Sequence, residues 1–179
     1  MQRFVAFLRA INVGGHVVKM EALRRLFEEM GLSDVETFIA SGNVGFSAAE
    51  NAPTLEDRIE AHLHDALGYK VAAFVRSAPE LAAIAAYRPF PIVEPAAAAS
   101  LYIGFLHAPP SAEAQQKLTA FRTPLDDFQI HDREIYLLCP TRFSEAAFSG
   151  ALLEKTLRLP TTLRNVTTVQ KLASKYPAP

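Results

Sequence analysis

The chain has 179 residues, half of them hydrophobic and 21% charged, with a formal charge of -1; it is long enough to bury a real core as one domain or as two small halves. A pI of about 6.5 argues against a protein that works mainly by coating nucleic acid, because phosphate neutralisation usually needs a concentrated basic face, and leaves room for a local basic pocket. A single cysteine, Cys139, excludes an intrachain disulfide, and no apolar run approaches the roughly 20 residues that cross a bilayer.

The first run, RFVAFLRAI (Arg3–Ile11), is rich in β-formers and predicts a strand. It is too short and too broken for a secretion signal. From Met20 the period changes: Met20, Leu23, Leu26, Phe27 and Met30 share one helical face, while Arg24, Arg25, Glu28 and Glu29 share the other. Gly31 ends that helix. Asp34–Ala40 predicts a second strand, Ser41–Asn43 a turn, and Val44–Ala48 a short third strand. Thr54, followed by Asp57, reads as a capping start for a helix striped by Leu55, Ile59, Leu63, Ala66 and Leu67 and ended by Gly68. Lys70–Arg76 predicts a fourth strand. The order is β-α-β-β-α-β, the ferredoxin-like order, in which an antiparallel sheet carries two helices on one face.

Ser77 and Glu80 form a fuller capping box for an added helix. Arg88–Ala99 is punctuated by proline and reads as a connection. Beyond it come a strand over Ser100–Ala108, a helix from Ser111 to about Phe121, and a hairpin of DFQIH and REIYLLC about Asp132. FSEAAFSGALLEKTLR is then mostly helical, TTLRNV is extended, and Thr167 with Gln170 caps a last helix. The second half repeats the order of the first without obvious residue-level repetition. The expected fold is therefore α+β: two ferredoxin-like halves with mainly antiparallel sheets, packed as one compact unit. Residues 1–87 form the first half with its added helix, 88–99 the connection, and 100–179 the second half.

Three polar segments have chemistry to offer. In RAINVGGHVVKM, Gly14 and Gly15 let backbone amides approach an anion, the following helix directs its dipole at it, and Arg9 and Lys19 add charge. The spacing is neither G-x-G-x-x-G nor G-x-x-x-x-G-K-[ST], so on spacing alone a flexible turn between strand and helix is the better account. Ser41, Gly42 and Asn43 read first as a plain hairpin turn. Yet in a ferredoxin-like half the first and third strands are antiparallel neighbours. The end of the first, with Asn12, Gly14 and Gly15, should then approach Ser41, Gly42 and Asn43. In the third segment Arg164 can fork onto a carboxylate or phosphate, with Asn165 and Lys171 nearby; an ordinary helix start with a surface arginine is the plainer account.

Elsewhere the plain readings prevail. Cys139 lies in an apolar run and reads as a small buried residue. His62 reads as a packed neutral histidine, and the Glu28–Glu29 and Asp126–Asp127 pairs as solvated acids. No H-x-x-x-H, H-E-x-x-H or C-x-x-C spacing supports a metal, and no G-x-S-x-G nucleophile elbow is present. Phe4, Phe7 and Phe46 fall short of the aromatic pattern by which this strand order reads RNA.

Together LRAINVGG (Leu8–Gly15), IASGNVGF (Ile39–Phe46) and TTLRNVTTVQKLA (Thr161–Ala173), with FVRSAPELAAI and REIYLLCP between them, resemble the signature segments of a bacterial family, domain of unknown function 1697. Its pattern runs L-R-G-I-N-V-G-G, then Q-S-G-N-V, then T-x-R-N-W-N-T-V-x-K-L. Matching positions are Arg9, Asn12, Gly14, Gly15, Ser41, Gly42, Asn43, Arg164, Asn165, Thr168 and Lys171. Ala10 replaces a family glycine, Ala40 a glutamine, Val166–Thr167 a Trp-Asn pair, and FSEAAFS a basic G-R-S-K-L stretch. The resemblance implies a site map and no activity.

The expected function is binding of a small, anionic ligand where Arg9, Asn12, Gly14, Gly15, Lys19, Ser41, Gly42, Asn43, Arg164, Asn165 and Lys171 converge. Binding is favoured over catalysis, and no cofactor or metal is expected. A module that pairs through sheet edges or homo-oligomerises is the alternative, and nucleic-acid binding the third reading. A cytoplasmic protein, monomeric or weakly dimeric and without membrane association, is expected.

Overall fold

The protein is described here from a computed structural model, which describes residues 1–12, 15–39, 42–90, 100–123, 126–139 and 149–178. β1 (Gln2–Arg9) is apolar without alternation, and Phe4 to Leu8 are all buried, so both of its faces are covered. α1 (Met20–Glu29) turns Leu23 and Phe27 inward. β2 (Ser33–Phe38), β3 (Asn43–Ala48), α2 (Ala52–Leu67), β4 (Ala72–Ser77) and α3 (Ala78–Ala86) follow. The second set is β5 (Ser100–Phe105), α4 (Ala112–Thr119), β6 (Asp127–His131), β7 (Glu134–Cys139), α5 (Gly150–Leu157), β8 (Thr162–Asn165) and α6 (Val166–Lys175).

The strands form two four-stranded sheets of orders β2-β3-β1-β4 and β6-β7-β5-β8. Every pairing is antiparallel. Both halves thus have the β-α-β-β-α-β order read from the sequence. By contacts the chain divides into a first unit, Met1–Ala83 with Leu172–Pro179, and a second, Ile84–Lys171. Of the predicted connection at 88–99, residues 91–99 lie outside the described residues. Among the described residues no helix is long and apolar enough to cross a membrane.

In the first unit Phe4, Ala6, Leu8, Val44, Phe46 and Val75 of the sheet meet Leu23, Phe27, Leu55, Ile59 and Leu63 of the two helices. The Phe46 ring lies 5.9 Å from Phe4 and 5.6 Å from Phe27, so these strand aromatics are spent on the core. On the opposite face Val5 sits between Gly45 and Arg76 in register. The Tyr176 ring occupies the space over Gly45, where an added Cβ would stand 2.5 Å from Cζ. Its hydroxyl donates to Glu36 Oε2 (3.2 Å) and Arg3 stacks on its ring at 4.4 Å. In the second unit Leu118, Leu137, Cys139, Leu153 and Leu157 form the core.

Edge strand β4 does not leave its outward N–H groups open. Ala73 N donates to Glu60 Oε1 (2.9 Å) and Val75 N to Glu56 Oε1 (2.8 Å), two α2 glutamates one turn apart. The second unit repeats the device just ahead of β8, where Thr161 N donates to Glu154 Oε1 of α5 at 2.9 Å.

Two helix caps read from sequence hold and two move. Ser77 and Glu80 exchange hydrogen bonds, with Ser77 N reaching Glu80 Oε2 at 2.8 Å. Ser111 caps α4; of the helix read over FSEAAFSGALLEKTLR, Gly150–Leu157 is seen behind a Ser149 cap, and the residues before 149 lie outside the described ones. The cap of α2 is Asn51 rather than Thr54: Asn51 Oδ1 accepts from Thr54 N at 3.0 Å. The cap of α6 is Asn165 rather than Thr167, accepting from Thr167 N at 2.9 Å. In both corrections a short amide side chain reaches the second or third helical N–H, so the cap stands two or three residues ahead of the threonine.

Candidate functional site

The first unit brings two of the three segments together at one end of its sheet. The chain leaves β1 at Arg9 and takes a left-handed backbone at Ala10 (φ 69), Asn12 (φ 56) and Gly15 (φ 90). The β2–β3 connection does the same at Ile39 (φ 51) and Gly42 (φ 72). Five of the ten left-handed residues among those described therefore lie in these two loops. The loops touch: Leu8 N donates to Gly42 O at 2.8 Å, and Asn43 stands opposite Phe7. A Cβ on Gly42 would lie 3.2 Å from the Cβ atoms of Leu8 and Ile11. Both the positive φ and the close approach require glycine there. Gly14 and Ser41 lie outside the described residues.

The side chains divide by task. Asn12 Oδ1 accepts from Val18 N at 2.7 Å, which closes the loop across six residues. Asn43 is wholly buried and donates to Phe38 O at 3.1 Å; it belongs to β3 rather than to the turn read from sequence. Arg9, Gly15 and Lys19 are exposed. Lys19 precedes α1 with extended backbone and makes no side-chain cap. His16 stacks on Tyr69, with ring centroids 3.9 Å apart. The Tyr69 hydroxyl is buried without a hydrogen-bond partner among the described residues, and burial pushes its pKa above the ordinary phenol value.

In the second unit, Arg164 and Asn165 have structural duties. Arg164 is 9% exposed, and its Nη1 donates to Thr162 Oγ1 and Leu163 O, both at 2.8 Å. Burial pushes its guanidinium down to about 10, which leaves it charged at neutral pH. Asn165 caps α6, and Lys171 is exposed. The first unit has the same arrangement at the end of its last strand. Arg76 is 1% exposed and donates to Val75 O at 2.9 Å, and Ser77 then caps α3. Glu56 stands 3.6 Å from Arg76.

A groove of about 440 Å³ runs between α1 and α2. Its floor is Ala22, Leu26, Ala66 and Leu67, and Lys19 stands at its rim. The sequence reading missed it, although Ala66 in an otherwise bulky apolar stripe was its signal. His62 is partly packed: its side chain is about a third exposed, while its Nε2 is buried 3.4 Å from Glu29. Asp126 is buried rather than solvated and accepts from Thr123. Cys139 is buried as expected, and burial, with Asp126 adding to it, pushes its thiol up to about 11. Among the described residues no cluster of three or more His, Cys, Asp or Glu can hold a metal ion.

Comparison with known proteins adds three findings. The sequence model of a family described as "Protein of unknown function (DUF1697)" matches residues 1–136. The match stops short of the LRN segment. No curated protein matches the chain. Among solved structures, a conserved bacterial protein from Streptococcus pneumoniae superposes with a TM-score of 0.77 at 21% identity, covering 99% of each chain. That likeness concerns the fold.

Proposed function

The chain belongs to the family described as protein of unknown function (DUF1697), and we propose that it binds a small anionic ligand at the paired loops of its first unit. The observation that carries this reading is the concentration of left-handed backbone at Ala10, Asn12, Gly15, Ile39 and Gly42. For Ala10, and more so for the β-branched Ile39, that conformation is costly, on the order of 1 kcal/mol each. Such strain gathers where loops are held in shape for a ligand. Gly15 presents bare backbone, α1 directs the positive end of its dipole to the same end of the unit, and Arg9 and Lys19 are exposed there.

The reading rests on Arg9, Asn12, Gly15, Lys19 and Gly42. Asn43, Arg164 and Asn165 are engaged in holding strand, strand and helix. Binding is favoured over catalysis because, among the described residues of these loops, no nucleophile stands beside a base. The sheet-edge alternative loses β4, whose outward N–H groups at Ala73 and Val75 are taken by glutamates.

Thermal unfolding in inorganic phosphate, pyrophosphate and small dicarboxylates tests the reading. A ligand at a hundred times its Kd adds about 2.7 kcal/mol, several degrees in Tm for a chain of this size. The expected result is a concentration-dependent rise that the Arg9→Gln/Lys19→Gln double variant abolishes while its own ligand-free Tm stays near the parent's. No rise with any anion, or a rise that survives the double variant, overturns it.

A further inference from the structure

We infer that the groove between α1 and α2 takes the aliphatic chain of an anionic amphiphile whose head group sits at Lys19. This names the ligand class for the site proposed above and rests on that reading. Lys19 joins the two features: it ends the glycine loop and rims the groove. A volume of about 440 Å³ falls within the range that holds small ligands, about 300–1,000 Å³. The floor is aliphatic. Ala22 and Ala66 are exposed and too short to fill it, while Leu26 and Leu67 are partly buried against the core. Short side chains on two facing helices leave a trough where longer ones would have closed the surface.

Charge orients the occupant. Along α1, Arg24 is neutralised by Glu21 (2.8 Å) and Glu28 (2.6 Å), and Arg25 lies 3.4 Å from Glu21. Lys19 has no ion pair among the described residues, so the cationic end of the groove is at the loop. Glu29 lines the other end. The α1 backbone rises about 15 Å between them, room for a medium-length alkyl chain lying along the floor with its anionic head away from Glu29. Arg25 and Glu21 also line the groove and pair with each other at 3.4 Å; the apolar floor and the unpaired Lys19 together select an amphiphile over a bare anion, because each buried methylene adds about 0.8 kcal/mol.

Isothermal titration of the whole chain with octyl phosphate below its micelle concentration, against inorganic phosphate and octyl glucoside, tests this. Octyl phosphate should bind at least tenfold more tightly than inorganic phosphate, the effect of about two buried methylenes. Ala66→Gln, an exposed, helix-compatible and uncharged change on the facing helix, should lower the octyl phosphate affinity to that of inorganic phosphate. Equal affinities for octyl and inorganic phosphate overturn the groove and leave the anion site standing; failure of both ligands overturns both. Octyl glucoside binding as well as octyl phosphate overturns the charged head. Retention on phosphatidylglycerol vesicles without binding of monomeric octyl phosphate assigns the chemistry to a lipid surface and overturns the single-chain groove.

Discussion

At Ala10 the backbone holds φ at 69° in a residue with a Cβ, where the family pattern carries glycine. A left-handed alanine costs about 1–2 kcal/mol, partly offset because glycine loses more freedom on folding. Ala10→Gly should therefore raise stability by roughly 0.5–1 kcal/mol in urea unfolding; an unchanged or lowered midpoint contradicts the strain assigned to the loop. Cys139 gives a second test. Its thiol pKa is raised to about 11 from 9.0, so the stability contribution of the protonated thiol is fully present below pH 9 and is lost as pH rises through 11. At pH 8, iodoacetamide should alkylate the folded protein about a hundredfold more slowly than the unfolded chain, from thiolate fraction alone. Gly42 was legible as a turn residue because few others tolerate positive φ. Asn43 was not: the sequence puts it in the turn, and its place in β3 depends on bonds to strands far away in the chain.

Strand order was legible element by element, because hydrophobic period and glycine stops mark each boundary. Caps were less so, since asparagine and threonine both accept from a helix N-terminus and only geometry chooses between Asn51 and Thr54. The seat of Tyr176 on Gly45 was invisible, because it joins residues 131 positions apart through a missing side chain. Gly45→Ala forces the ring off the sheet, with an expected loss of roughly 2–3 kcal/mol in denaturant unfolding. In a Tyr176→Ala background the same substitution should cost clearly less, since the two residues share one contact. Additive costs contradict the seat.

Across the whole molecule, the repeated β-α-β-β-α-β order was plain and the repetition of residues was not. Two devices recur: a buried arginine followed by a helix cap, at Arg76–Ser77 and Arg164–Asn165, and a helix glutamate on a backbone N–H in or just ahead of an edge strand, at Glu56 and Glu154. Few positions carry them, so composition hides them while burial allows the rest to drift. Arg164 shows the cost for the site: from sequence it reads as a surface arginine at a helix start that could fork onto an anion, and in the fold it is a buried strand residue with a counterpart in the other unit. The two loops that meet in the first unit keep the functional reading. It is tested most directly by titrating inorganic phosphate into the nitrogen-15-labelled protein and following backbone amides. The account predicts saturable shifts at Asn12, Gly15, Lys19 and Gly42 in the millimolar range or below, lost in Lys19→Gln. Shifts that never saturate, or that gather away from these loops, would contradict it.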